Sequence, residues 1–173
     1  MLITRKQLLL GIFISLTTCI NLKAKLTIFA DDYIPQIFGN QIEISSNVNR
    51  YLNRTVCNFP IEQDNLIEIT LKKYMLEKKS QMGFIAHLEL ENEEGLKHHI
   101  YSTPYTWFCG SGQSIINEEK DTDQAKRTLW SSYGITEEAH YLSPVLTETE
   151  DNDNNDVVGC WLQIPQEDLV EWK

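Results

Sequence analysis

The chain has 173 residues, with 25 Asp and Glu against 15 Lys and Arg, a formal net charge of −10. All of the acidic residues but only 12 of the basic ones lie beyond residue 24, so the remainder holds 12 against 25, a net −13. A surface of that sign repels nucleic acid and anionic membranes, which excludes nucleic acid as a partner.

Residues 1–24 have the parts of a secretory signal. Arg5 and Lys6 supply the positive start, Leu8 to Leu16 the apolar stretch, and Ala24 a small residue before a cut, with Leu22 an imperfect partner two positions earlier. Leu8 to Ile20 is only 13 residues, short of the roughly 20 that a membrane-spanning helix needs. Leu16-Thr-Thr-Cys19 offers a lipoprotein alternative, which Thr18 disfavours. A periplasmic or secreted protein is expected, cleaved near Ala24, with residues 25–173 forming one domain.

Leu26 to Ala30 is a short apolar run that predicts a first strand, followed by Asp31-Asp-Tyr-Ile-Pro35. Ile44, Val48, Tyr51 and Leu52 fall on one stripe of an amphipathic helix. Thr55 to Phe59 predicts a second strand closed by Pro60. Asn65 and Glu68 resemble a capping box, opening a helix whose stripe is Ile67, Leu71, Tyr74 and Met75. Met82 to Ala86 predicts a third strand, Glu89 to His99 a polar connection, and Ile100 to Cys109, extended ahead of Pro104, a further strand ended by Gly110-Ser-Gly112. Asp123 to Tyr133 predicts a helix, Tyr141 to Leu146 a strand, and Val157 to Ile164 a last strand before a C-terminal helix. Strand and helix alternation with short connections predicts an α/β fold, a mainly parallel sheet flanked by helices.

Cys57, Cys109 and Cys160 remain after cleavage. In an oxidising compartment one disulfide and one free thiol is the simplest arithmetic, against three buried thiols as the alternative.

Three motifs point to a family: the first strand with Asp31-Asp-Tyr-Ile-Pro35, the lysine-rich turn Leu76 to Gln81 before Met82 to Ala86, and Tyr101-Ser-Thr-Pro-Tyr105. The layout resembles the first lobe of type 2 periplasmic solute-binding proteins, the amino-acid-type components of ABC transporters. The resemblance implies a first lobe over residues 25–116, a shortened, partly flexible second segment over 117–155, and a return strand and helix over 156–173. It implies ligand binding at the carboxyl ends of the strands, by Asp32, Tyr33, His87, Glu89, Tyr105 and Trp107. Tyr33 would stack on the ligand, Asp32 and Glu89 would meet positive charge, and His87 would hydrogen-bond. It also implies that the return strand lies beside the hinge strand, which pairs Cys109 with Cys160.

The departures narrow the ligand. The family's carboxylate-clamping arginine falls on Gly95 here, and residues 25–173 hold only Arg50, Arg54 and Arg127. A small polar solute, cationic or neutral, is therefore expected. The 39 residues of the second segment are too few for a full lobe.

Other constellations carry less. Asp151 to Asp156 imitates the start of an EF-hand loop, but position 6 is Asp156 and position 12 Leu162. His98 and His99 are adjacent and point to opposite faces of a strand, so no metal site is expected. Cys109-Gly-Ser-Gly112 lacks the pattern of a hydrolase elbow. The aromatic residues Tyr33, Tyr105 and Trp107 have a plain core reading beside the ligand-stacking one. The function expected is non-catalytic solute binding without a cofactor, possible partners being a membrane transporter or another protein. The alternative is a protein-interaction scaffold or relic lobe without a ligand.

Overall fold

Alternation of buried and exposed side chains, the period-two pattern of a strand, governs most of this chain. The computed structural model describes residues 22–31, 33–39, 42–44, 46–49, 54–61, 66–72, 82–110, 113–145 and 157–164. Among them are β1 (Leu22–Ala30), β2 (Tyr33–Gly39), β3 (Ile42–Glu43), β4 (Ser46–Asn49), β5 (Arg54–Ile61) and β6 (Leu66–Lys72). Then follow β7 (Phe84–Glu91), β8 (Lys97–Tyr101), β9 (Trp107–Cys109), β10 (Ser114–Ile116), α1 (Glu118–Asp121), α2 (Gln124–Ser131), β11 (Leu142–Pro144) and β12 (Val157–Gln163).

The strands form two sheets. One has seven strands in the order β10-β11-β7-β1-β5-β4, with β8 also paired to β7. The other has five, in the order β3-β2-β6-β12-β9. Every pairing described is antiparallel. The inward side chains of both sheets make one apolar cluster, with Leu26 and Ile28 of β1, Phe84 and Leu88 of β7, Ile67 and Ile69 of β6 and Leu162 of β12 all at most 1% exposed. Phe84 and Trp107 meet across the sheets edge to face, with ring centroids 5.2 Å apart.

A second cluster lies on the outer face of the seven-stranded sheet. There Trp130 of α2, with Ile135, Ala139 and Tyr141, covers Phe29 of β1 and Ile85 of β7. Asp123 caps α2 by accepting hydrogen bonds from the amides of Ala125 and Lys126 at 3.0 and 3.2 Å. This cover explains why β7 is buried on both faces at its start and alternates only towards its end.

The parallel α/β sheet expected from sequence is corrected to two antiparallel sheets. β1, β5 and β7 fall where the first three strands were expected, but β1 runs antiparallel to both neighbours. The two helices expected between them are strands where they are described. Ile67 and Leu71 were read as one helical stripe. Ile69, two residues from each, is also fully buried, while Glu68 is exposed, so the segment has period two. Val48 lies in β4, paired with Thr55 of β5. Tyr51, Leu52, Asn65, Tyr74 and Met75 lie outside the described residues, as do Asp151 to Asp156 and the expected C-terminal helix. Pro60 does not close its strand: β5 runs on to Ile61, with Pro60 opposite Lys23 of β1, and among the described residues its pairing with β4 ends at Cys57.

The polar connection expected over Glu89 to His99 is a β-hairpin. Asn92 Oδ1 accepts from the amides of Glu94 and Leu96 at 3.0 and 2.9 Å, and Gly95 takes a φ of 80° that a side chain would resist. β10 and β11 pair across the boundary expected at residue 116. β1 begins at Leu22, ahead of the expected cut after Ala24.

Candidate functional site

The β7–β8 hairpin and β1 set three rows of side chains on the outer face of the seven-stranded sheet. Register places Thr27, His87 and Tyr101 in one row, Lys25, Glu89 and His99 in the next, and Lys23, Glu91 and Lys97 in the third. Neighbours within and between such rows are close enough to interact.

His87 is the centre of this face and is only 6% exposed. Its ring stacks on Tyr101, with centroids 4.8 Å apart, and on His99, at 5.0 Å. Its Nε2 lies 2.9 Å from His99 Nδ1, a hydrogen bond in which one imidazole donates and the other accepts. Burial, and then the charge of His99, lower the His87 pKa from 6.5 to about 4, while Glu89 opposes the shift. His87 is therefore neutral at pH 7. His87 Nδ1 and His99 Nε2 are the ring nitrogens outside that hydrogen bond. Neither atom has a hydrogen-bonding partner among the described residues.

The charges around the pair are largely balanced. Lys97 Nζ lies 3.0 Å from Glu89 Oε1 and 3.9 Å from Glu91 Oε2. The hydrogen bond from Lys97 holds the Glu89 carboxyl below its usual range. The turn after α2 passes beside this face: a Cβ on Gly134 would lie 4.0 Å from His87 Nδ1.

Of the residues expected at the site, only His87 and Glu89 share this face. Trp107 is 1% exposed in the core between the sheets, and Tyr105 projects from the β8–β9 turn at 89% exposure. Tyr33 begins β2 in the other sheet, opposite Lys72. Asp32 lies outside the described residues. Its neighbour Asp31 is bound by Lys120 of α1 and by Lys126 of α2 at 3.3 Å, so it anchors the helices to the end of β1. The strand-end cleft depended on parallel strands, whose carboxyl ends gather on one side; antiparallel strands alternate and scatter those ends.

Comparison with known proteins returns nothing: no family model, curated protein or solved structure matches the chain.

The Tyr101 to Tyr105 motif has a local structural part. Ser102, fully buried, accepts from the Ala86 amide at 2.9 Å and donates to the His140 carbonyl at 2.8 Å. Thr106 donates its hydroxyl to the Tyr101 carbonyl at 2.8 Å, which closes the turn that projects Tyr105. Cys109 and Cys160 are directly opposite on β9 and β12 and form the disulfide. Their nearness comes from antiparallel neighbours in the five-stranded sheet.

Sequence reasoning missed Thr27, Lys25, Lys97, His99 and Tyr101. A signal for three of them was present: His87-x-Glu89-x-Glu91 and Lys97-x-His99-x-Tyr101 are period-two patterns joined by Asn92 to Gly95, a hairpin signature.

Proposed function

We propose that this is an exported, non-catalytic binding protein for a small, neutral polar solute, held on the outer face of the seven-stranded sheet. The observation that carries the reading is the His87–His99 pair, a buried neutral imidazole hydrogen-bonded to an exposed one. One nitrogen of each ring, His87 Nδ1 and His99 Nε2, lies outside that bond and can meet a polar group of a ligand. Glu89 is engaged by Lys97, which favours a neutral over a cationic ligand. Among the described residues the His87 ring is hydrogen-bonded to another imidazole and not to a hydroxyl or thiol, which supports binding over nucleophilic catalysis.

The test is a thermal-shift screen of the purified protein against sugars, amides and neutral amino acids, repeated with His99→Ala. A solute at a hundred times its Kd adds about 2.7 kcal/mol of stability. Stabilisation in the wild type that His99→Ala abolishes supports the site. Equal stabilisation of both proteins, or none in the wild type, removes it.

A scaffold that meets another protein is the second reading. It is favoured by a row across the outer face of the five-stranded sheet, Phe38, Glu68, Trp161 and Phe108, in which Phe108 is 38% exposed. Sedimentation over a range of concentrations separates self-association from a monomer.

A further inference from the structure

Leu22 and Ala24 stand at positions −3 and −1 of the cut that the sequence favours, and each is 2% exposed in the core between the sheets. They belong to the first third of β1. Leu22, Lys23 and Ala24 pair with Ile61, Pro60 and Phe59 of β5 on one side. On the other, Lys23 and Ala24 pair with Glu91 and Leu90 of β7. Leu22 and Lys23 also wall a groove of about 650 Å³ with Pro60, Glu91 and residues 92–95.

A cut after Ala24 would remove all of this. It would leave Ile61 and Leu90, now 5% and 1% exposed, facing water at one end of the core. It would strip ladder partners from both neighbouring strands, and unpaired buried backbone groups are costly. It would also set a new ammonium group at Lys25, directly opposite Asn58 and Glu89 in mid-sheet. Export precedes folding, so the fold does not block such a cut. What the fold decides is which product keeps its first strand.

We infer that the export signal is cut upstream of Leu22, at the Cys19–Ile20 bond, and that Leu22 to Ala24 belong to the folded domain. This rests on the export reading above. Thr17 and Cys19 are small residues at −3 and −1 of that bond, directly after the apolar run ending at Leu16. In the step, water adds across the Cys19–Ile20 amide under the host's signal peptidase. The carboxylate stays on Cys19 of the released leader, and the ammonium forms on Ile20 of the exported chain.

The experiment is expression of the full 173-residue chain in a bacterial host, with the N-terminus of the exported protein read by intact mass and terminal sequencing. An N-terminus at Ile20 is expected. An N-terminus at Lys25 overturns the inference while leaving export intact. A chain recovered uncut overturns the inference and the export reading together. A second measurement compares melting of chains that start at Ile20 and at Lys25. The shorter chain is expected to melt about 5–10 °C lower or to fail to fold, and equal melting temperatures overturn the claim that Leu22 to Ala24 belong to the domain.

Discussion

His87 Nε2 lies 2.9 Å from His99 Nδ1, across two strands joined by the Asn92 to Gly95 turn. The contact is diagonal, between successive rows of the sheet, and it ties a buried imidazole to an exposed one. A buried titratable ring leaves a signature in the pH dependence of stability.

The folded pKa of His87, about 4, lies below its ordinary 6.5. Between these values the unfolded chain binds a proton that the folded chain refuses. The contribution of this group to stability is complete above about pH 6.5 and is lost as the pH falls through 4, a difference of up to about 3 kcal/mol. Lys25, Glu89, His99 and Tyr101 face the same ring and remain in the comparison. Urea unfolding at pH 7.5 and 4.5 measures the effect; His87→Gln is expected to shrink the difference between the two midpoints. An unchanged difference would place the titration elsewhere.

The Cys109–Cys160 bridge joins β9 to β12 and closes a sequence separation of 51 residues. Restriction of the unfolded chain by such a loop predicts a loss of about 2–4 kcal/mol when both cysteines become serine. Burial raises the remaining described thiol, Cys57, to about 11. A thiol reagent should therefore leave Cys57 untouched in the native protein and label it on unfolding. Peptide mapping after alkylation, with and without urea, checks this.

Trp107 fills the space between the sheets against Phe84. Trp107→Ala should cost about 3–5 kcal/mol through the cavity it leaves. A variant of unchanged stability that had lost solute binding would restore the ligand-stacking part the sequence assigned to it. Denaturation midpoints and the thermal-shift screen together decide between the two.

Asp121 gathers the polar end of the second cluster. Its carboxylate binds the Arg127 guanidinium, meets His140 Nδ1 at 3.0 Å and accepts from the Tyr141 amide at 3.2 Å. Arg127 also donates to the Ala139 carbonyl at 2.9 Å. Asp121→Ala is expected to cost about 2–3 kcal/mol, because it removes the carboxylate that the half-buried guanidinium and the Tyr141 amide share. Hydrogen exchange should then show α2 opening before the sheets do; a uniform loss of protection would argue against a local part for Asp121.

Local pattern in the sequence was enough to place β1, β5, β7, β12 and the helix α2, and it marked extended chain where β9 and β11 lie. Runs such as Leu26 to Ala30 and Val157 to Ile164 carry their own strand signal. Composition set the acidic surface, and cysteine arithmetic allowed one bridge with one thiol. The Ile67, Ile69 and Leu71 segment was legible too, since its period of two was present beside the four-residue spacing that was followed instead. Strand direction was not legible. A short apolar run reads the same in a parallel or an antiparallel sheet, and only the partners on either side settle it. That choice decided the site as well. Antiparallel pairing put His99 and Tyr101 beside His87, buried Trp107 in the core and left Tyr105 alone in solvent, because contacts across a sheet depend on register between distant segments.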